Sequence, residues 1–250
     1  MSAEAGPRRV LIVGATSAIA TEVARAYAER GASLFLAGRN PERLSNAAAD
    51  LALRGAARVE TAAFDVLAHE SHGDLVTRAF AGGPVDVALL AHGALPDQAR
   101  CQQSSGEAVD ALAVNFTATV ALLTLLANRF EAQRRGTIAV ISSVAGDRGR
   151  QSNYVYGAAK GGLSVFLQGL RNRLHHSGVS VVTLKPGFVN TPMTSAMPKN
   201  RLFVTPRRAG RAIHRAIEAR RDVAYIPWFW RPVMALITHL PERFFKRLRL

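Results

Sequence analysis

The sequence predicts an α/β protein: one domain in which helices cover both faces of a doubly wound, seven-stranded parallel sheet. Three observations predict this class. The chain has 250 residues, of which 48% are hydrophobic, enough for one domain with a full core. Seven short runs rich in Val, Ile and Leu alternate with helical patterns. These runs are almost continuously apolar, as strands buried on both faces of a parallel sheet are.

The elements follow one another as β-α units. The predicted strands are 8–14, 33–38, 59–65, 85–91, 136–143, 179–186 and 223–227. One predicted helix, 41–54, begins with Pro41 and ends before Gly55. Another, 205–221, begins with a Thr205 cap followed by Pro206. Its apolar face comprises Ala209, Ala212, Ile213, Ala216 and Ile217. Such units predict right-handed crossovers and a ligand site at the carboxyl ends of the strands.

Charge and cysteine content limit the possible partners and the compartment. The net charge is +14, and thirteen basic against three acidic residues fall between Lys199 and Leu250. This basic end fits nucleic acid, an anionic membrane, an anionic ligand or a plain solvated surface. No nucleic-acid motif accompanies it, so we expect no nucleic-acid partner. The lone Cys101 excludes an internal disulfide, and we see neither a signal peptide nor a membrane-spanning run. We therefore expect a cytoplasmic protein.

Residues 228–250 form a basic aromatic tail after the predicted domain, 1–227. Trp228, Phe229 and Trp230 cluster, an apolar stretch follows, and Phe and Leu then alternate with Arg and Lys. This composition suits a peripheral position at the inner face of a membrane. It suits equally a segment that covers the active site or packs between subunits. Arg231 and Pro232 argue against a spanning helix.

The stretch NYVYGAAKGG carries the first chemical signal. Tyr156 and Lys160 are four residues apart, so on a helix they share a face. An ammonium beside a phenol favours the phenolate and lowers the phenol pKa from about 10, which produces a general acid/base. Ser142 and Ser143 end the preceding predicted strand, where a hydroxyl could hydrogen-bond a substrate carbonyl.

With these residues the chain resembles the short-chain dehydrogenase/reductase family over essentially its whole length. Ser143, but not Ser142, has the family's spacing of 13 residues to Tyr156. Asn115 in VNFTATV stands where the family has its catalytic Asn. The stretch KPGFVNTPM matches the family's Pro-Gly motif with Pro186, Gly187, Val189 and Thr191.

The resemblance implies a Rossmann fold and reversible hydride transfer between a ketone and an alcohol. Tyr156 would exchange the proton with the substrate oxygen, and Ser143 would orient that oxygen. Lys160 would lower the Tyr156 pKa and bind the nicotinamide ribose, while Asn115 would support a relay water. We also expect Tyr156 itself to contact the cofactor.

The loop GATSAIA departs from the family's Thr-Gly-x-x-x-Gly-x-Gly. Gly14 is kept at the tight turn, whereas Ala18 and Ala20 replace glycines. The helix N-terminus still offers its N–H groups, to which Thr16 and Ser17 can add hydroxyls. We predict that cofactor binding persists, with Ile19 also in contact; the alternative is a degenerate loop that binds no cofactor.

Further residues indicate which cofactor binds. Arg39, after the second predicted strand, suits a 2′-phosphate, which favours NADP(H) while NAD(H) stays possible. Asp65 and Val66 match the family's adenine contacts. Gly93 ends LAHG where the family has Asn-Asn-Ala-Gly, and His92 is expected near the cofactor ribose. The other histidines considered, His69, His72, His175 and His176, show no metal-ligand pattern, so no metal is predicted.

Substrate and assembly rest on the resemblance. The loop, the stretch RQSNYVYGAAKGGL and the tail are similar to one branch of the family, the decaprenylphosphoryl-2-keto-pentose reductases, which implies a lipid-linked keto-sugar. The alternatives are a generic 3-oxoacyl or small-ketone reductase and a catalytically silent NADP(H)-binding sensor or scaffold. The family usually forms homodimers or homotetramers through the helices that carry Asn115 and Tyr156.

Overall fold

A computed structural model describes residues 7–248 and has the predicted architecture. One seven-stranded sheet runs in the order β3-β2-β1-β4-β5-β6-β7, and every neighbouring pair is parallel. The strands are β1 (Arg9–Val13), β2 (Ser33–Gly38), β3 (Arg58–Ala63), β4 (Val87–Leu90), β5 (Gly136–Ile141), β6 (Val179–Pro186) and β7 (Val223–Ile226). Each of the seven predicted strands is present, several of them a few residues shorter. The strand order reverses between β1 and β4, which creates a crevice at their carboxyl ends.

Helices cover both faces of the sheet. They are α1 (Ala18–Ala28), α2 (Pro41–Leu53), α3 (His72–Phe80), α4 (Gln98–Gln103), α5 (Ser105–Leu112), α6 (Ala118–Gln133), α7 (Tyr154–His175), α8 (Pro206–Glu218), α9 (Trp230–His239) and α10 (Glu242–Phe245). Successive β1 residues point to opposite faces, so Leu11 joins the core under α3, α6 and α7. Ile12 joins the core under α1, α2 and α8. One domain with two apolar layers results.

The long helical segment Ser105–Gln133 corrects one expectation. It is long and apolar enough to span a membrane by length and composition, with a mean hydropathy of 1.8, although we expected no such run. In the fold it covers the sheet, with Leu122, Leu126 and Phe130 fully buried. Its middle, Ala113–Thr117, is a π-helix that separates α5 from α6.

The C-terminal tail packs partly onto the domain. Trp230 and Met234 are buried against Val144, which follows the predicted catalytic serine. The Arg148 guanidinium donates to the carbonyls of Ile237 and Leu240 and lies 3.8 Å from the centre of the Phe245 ring. The remaining apolar side chains of the tail that are exposed are Trp228, Val233, Leu236, Phe244 and Leu248.

Candidate active site

A cleft of about 1510 Å³ opens at the carboxyl ends of the central strands. Every residue predicted to bind cofactor or to act in catalysis lines it, except Asn115, which is fully buried. Residues from the ends of β1, β2, β4, β5 and β6 thus meet in one place. The two serines at the end of β5 differ in their position relative to the cleft. Ser143 lines it, whereas the buried Ser142 hydroxyl donates to the Lys160 carbonyl at 3.0 Å.

Tyr156 and Ser143 form the polar centre of the cleft. The two side chains are close enough for the Ser143 hydroxyl to act on the pKa of the Tyr156 phenol, and the Ser143 oxygen accepts from the Ala145 N–H at 3.1 Å. A short 3₁₀ turn, Val144–Gly146, therefore fixes the serine rotamer directly after β5. Tyr156 stands in the first turn of α7, which presents its phenol to the same space. Two hydroxyls so placed can share a proton with a carbonyl oxygen between them.

The pKa values differ from the expectation drawn from the Tyr-Lys spacing. Burial raises the pKa of Tyr156 to about 12, and the hydrogen bond from Ser143 only partly opposes this. Burial likewise lowers the pKa of Lys160 to about 8. The Lys160 ammonium donates to the Ile141 carbonyl at 3.0 Å and lies 5.8 Å from the centre of the Tyr156 ring. The predicted lowering of the Tyr156 pKa was therefore wrong, because desolvation determines the direction of the shift and Lys160 is not among the influences on it.

Asn115 lies in the π-helix between α5 and α6 and joins two parts of the site. Its side-chain amide donates to the Ala111 carbonyl at 2.9 Å, and its oxygen accepts from the Ala94 N–H at 3.1 Å. A Cβ added to Gly93 would lie 2.9 Å from that oxygen and 3.6 Å from the Lys160 ammonium. Asn115, Gly93 and Lys160 are therefore neighbours, and only glycine leaves room between them.

The loop GATSAIA forms a tight turn followed by the first residues of α1. Gly14 has φ +77°, and a Cβ there would lie 2.6 Å from the His92 nitrogen, so the turn requires glycine. Ala20 is fully buried where α1 packs on the sheet, and its methyl is accommodated. The Ser17 hydroxyl accepts from the Ala20 N–H at 3.2 Å and so caps α1 at the point where Ala18 begins it. Ser17, Ala18 and Ile19, at the N-terminus of this helix, line the cleft.

The end of the cleft formed by β2 and α2 contains a cation that the sequence did not reveal. Arg39 is exposed in the cleft wall, and Arg43, in the first turn of α2, lies in the same wall. Arg43 also donates to the Thr16 carbonyl at 3.2 Å, which ties α2 to the phosphate loop. The side chain of Asp65 accepts from the Leu67 N–H at 3.0 Å. The spacing of four residues between the arginines, on a helix following Arg39, is the signal that could have identified Arg43.

The Pro-Gly segment after β6 closes the other end of the cleft. The Gly187 N–H donates to the Ile226 carbonyl at 2.9 Å, and the Trp230 indole occupies the space that a Cβ at Gly187 would need. Val189 pairs with Val204 in an isolated bridge. The Thr191 N–H donates to the Thr194 hydroxyl at 3.2 Å and begins a short 3₁₀ turn. Trp230, from the tail, is thus part of the support of this segment, which the sequence motif did not indicate.

His92 and its surroundings complete the site. The His92 Nε2 atom lies 2.8 Å from the Thr119 hydroxyl, and its Nδ1 is buried with no hydrogen-bond partner within residues 7–248. Burial lowers the pKa of the ring to about 3. The ring is therefore neutral at physiological pH and packed beside the cofactor loop. Within residues 7–248, no three His, Cys, Asp or Glu side chains come together in a way that could hold a metal ion.

Sequence comparison identifies relatives of this chain. The sequence model of the short chain dehydrogenase family matches residues 8–202. An uncharacterized oxidoreductase of Mycobacterium tuberculosis is 41% identical over 246 residues, covering 98% of each chain. An uncharacterized oxidoreductase of Streptomyces coelicolor is 38% identical over 245 residues, covering 97% of this chain and 96% of the other.

Solved structures share the fold at lower identity. A putative gluconate dehydrogenase from Agrobacterium tumefaciens superposes with a TM-score of 0.80 at 18% identity, covering 89% of this chain and 95% of the other. A variant of actinorhodin polyketide ketoreductase with NADPH gives a TM-score of 0.77 at 23% identity, over 87% and 94%. The family match and the near full-length relatives lead to one conclusion: this chain belongs to the short-chain dehydrogenase/reductase family and is an oxidoreductase.

Proposed function

We propose that this protein interconverts a ketone and a secondary alcohol with NADP(H), using Ser143, Tyr156, Lys160 and Asn115. The observation that carries this proposal is the presence of the Ser143 hydroxyl and the Tyr156 phenol in one cleft that also holds the Lys160 side chain. The same cleft contains a helix N-terminus and a close-packed glycine turn that fit a dinucleotide. When bound, the nicotinamide cofactor supplies or accepts the hydride at the carbonyl carbon.

Each side chain has a defined task in this reaction. With a pKa near 12, Tyr156 is protonated at neutral pH and donates its proton to the carbonyl oxygen. Ser143 donates a hydrogen bond to the same oxygen and so orients and polarises it. Lys160, anchored on the Ile141 carbonyl, places a positive charge behind the phenol and stabilises the phenolate that forms. Asn115, whose oxygen is held by Ala94, fixes the backbone beside Lys160.

Replacing the phenol tests this assignment. Tyr156→Phe removes the proton donor and keeps the ring, so we expect the variant to fold, to bind NADPH and to lose at least about a hundredfold in kcat, as loss of a general acid does. Turnover with a panel of ketones and the thermal shift with NADPH measure the two properties separately. Near-full turnover in Tyr156→Phe would refute the assignment. Thermal shifts without turnover in the unmodified protein would favour the sensor or scaffold alternative.

The preference for NADP(H) rests on Arg39 and Arg43 in the adenosine end of the cleft. Removing the Arg39 guanidinium takes away a charge-assisted hydrogen bond to the 2′-phosphate, so Arg39→Ala should bind NADPH roughly tenfold more weakly and leave NADH binding unchanged. Arg58→Ala is the matched control, because Arg58 is exposed on β3 and lies outside the cleft wall. Thermal-shift titrations with NADPH, NADP, NADH and NAD give the affinities. A larger shift with NADH than with NADPH in the unmodified protein contradicts this preference.

We propose an amphiphilic ketone as substrate, the lipid-linked keto-sugar of the branch that the sequence resembles. Apolar side chains in the substrate end of the cleft support this, namely Leu95, Phe188, Met193 and Met197. A smaller 3-oxoacyl or simple ketone is the alternative. Activity on short soluble 3-oxo esters comparable to that on lipid-linked ketones would favour that alternative.

The folded domain has two exposed apolar surfaces, and we assign a binding partner to each. The first lies on α6 and α7, where Leu125 and Val165 are 37% and 66% exposed, and we assign it to a homodimer or homotetramer. The second, which we call the tail surface, comprises Trp228, Leu236, Phe244 and Leu248. Because Arg243, Lys246 and Arg247 are exposed beside it, we assign it to an anionic membrane. The protein would then be cytoplasmic and peripheral at the inner face of that membrane.

A further inference from the structure

Arg150 is a cation in the cleft wall that has no role in the proposed reaction. It belongs to the segment between Ser143 and Tyr156, and it lines the cleft together with both of them. Its Nε atom is buried and has no hydrogen-bond partner among the described residues. Burial lowers the pKa of its guanidinium, and no carboxylate opposes that shift. A partly buried guanidinium without an anion is unfavourable unless a ligand supplies the anion.

The other charged side chains near this segment have hydrogen-bond or ion-pair partners of their own. Arg148, two residues earlier, donates to tail carbonyls and pairs with Glu242 at 2.9 Å. Asp147 accepts from the Lys185 ammonium and from the Tyr225 hydroxyl. Neither carboxylate appears among the influences on the pKa of Arg150. Of the two arginines in this segment, Arg148 pairs with a carboxylate and Arg150 does not pair with any in the described part of the chain.

The two halves of the cleft wall differ in charge. All acidic side chains of the wall, Glu22, Glu42 and Asp65, lie in the half formed by the first three β-α units, where Arg25, Arg39 and Arg43 accompany them. The half formed by residues 91–197 holds Arg150 and Lys160 but no carboxylate. A ligand in this half therefore meets positive charge and apolar surface together.

We propose that Arg150 binds an anionic group of the carbonyl substrate, a carboxylate or a phosphate, separate from the phosphates of the cofactor. A guanidinium can hold either anion through two parallel hydrogen bonds, which fixes orientation as well as position. An anion held there would direct the attached ketone to the Ser143 and Tyr156 hydroxyls. This inference rests on the proposed function, because the ketone must occupy the same cleft.

The test measures anion binding to protein already saturated with NADP. Thermal-shift titrations use inorganic phosphate and acetoacetate as anions, at an ionic strength kept constant with NaCl, and ethyl acetoacetate as the neutral counterpart. The variants are Arg150→Gln, Arg150→Lys and, as a matched loss of charge outside the cleft, Arg58→Gln. We expect at least one anion to bind the unmodified protein and Arg58→Gln alike. In Arg150→Gln its dissociation constant should rise roughly 10- to 100-fold, with partial recovery in Arg150→Lys.

The outcomes separate this inference from the proposed function. A response to phosphate alone identifies a phosphoryl group, and a response to acetoacetate but not to its ester identifies a carboxylate. Equal responses of Arg150→Gln and the unmodified protein to both anions would overturn the inference. So would a tenfold loss of NADP affinity in Arg150→Gln without a change in anion binding, since Arg150 would then contact the cofactor. Absence of NADP binding in the unmodified protein would instead contradict the proposed function.

Discussion

At the scale of single residues, Tyr156 and Lys160 determine how the reaction depends on pH. Lys160 has a pKa near 8, so its charge is present below pH 8 and is lost above it. Tyr156 has a pKa near 12 and stays protonated throughout this range. We therefore expect the rate of ketone reduction at saturating NADPH to be level below pH 8. Above that, it should fall up to about tenfold per pH unit as the ammonium that stabilises the phenolate disappears.

Lys160→Arg is the control for this pH dependence, because a guanidinium keeps its charge at alkaline pH. Where this variant retains activity, its fall in rate should move to higher pH. Steady-state rates of ketone reduction, measured from pH 6 to pH 10 for both proteins, test this pH dependence. A level profile up to pH 10 in the unmodified enzyme would show that the charge on Lys160 does not contribute to the rate.

The sequence was informative where the spacing between two residues identifies them. Ser143 was distinguished from Ser142 by its spacing to Tyr156, and the structure places Ser143 in the cleft wall and Ser142 in the core. The pKa of Tyr156 could not be predicted, because desolvation depends on packing from several elements at once. Arg150 was missed for a related reason. Nothing in its local sequence indicates that the neighbouring carboxylates are used by other side chains.

At the scale of elements, two glycines at opposite ends of α1 differ in what surrounds them. Gly14 and Gly31 both have positive φ, +77° and +71°, but only Gly14 lies against neighbouring backbone. Gly31→Ala should therefore cost only the left-handed conformation, about 1 kcal/mol. Gly14→Ala adds the overlap with the His92 backbone, so we expect a loss of at least about 3 kcal/mol in the free energy of unfolding.

Urea unfolding of the two glycine variants measures this difference, and a thermal shift with NADPH shows its effect on the loop. Gly31→Ala should keep the shift, whereas Gly14→Ala should lose it even where it remains folded. Equal stabilities of the two variants would mean that the β1–α1 turn can move away from β4, and that its shape is not fixed by Gly14.

The elements themselves were predictable to the extent that their signals are local. The caps and apolar faces predicted helices that begin at Pro41 and Pro206, and both do. The strands were predicted a few residues too long at several ends, because apolar character continues after the backbone leaves the sheet. The π-helix at Ala113–Thr117 was not predicted. Within it, the Asn115 oxygen accepts from the Ala94 N–H, a tertiary contact that the local sequence does not indicate.

At the scale of the whole molecule, the tail connects its surface to the catalytic loop. Trp230 supports the Pro-Gly segment, and Arg148, five residues after Ser143, holds the carbonyls at the end of α9. Truncation after Pro227 would remove the buried Trp230 and Met234 and would disturb the site itself. The role of the tail surface is therefore best tested with substitutions of its exposed side chains alone.

Two pairs of variants separate assembly from membrane binding, and each is the control for the other. Leu125→Glu with Val165→Glu places charge on α6 and α7, whose outer faces are linked where Arg173 donates to Asn128 at 2.8 Å. Since a charge buried in an interface is unfavourable, we expect this pair to convert the oligomer to monomers in light scattering, with liposome binding retained. Trp228→Ser with Leu236→Ser removes about 3 kcal/mol or more of apolar contact with a bilayer. This pair should lower co-sedimentation with phosphatidylglycerol liposomes at least tenfold and leave the oligomer intact.

The crossed design also shows how each assignment could fail. If the helix substitutions leave the molecular mass unchanged, the α6–α7 surface does not hold the subunits together. If the tail substitutions dissociate the oligomer, the tail surface is a protein interface. Binding to phosphatidylcholine as strong as to phosphatidylglycerol would mean that Arg243, Lys246 and Arg247 do not act on lipid charge. With all three results as expected, high salt should weaken liposome binding and leave the oligomer intact. Salt screens the attraction between the basic side chains and anionic lipid, whereas it does not reduce the burial of apolar surface between subunits.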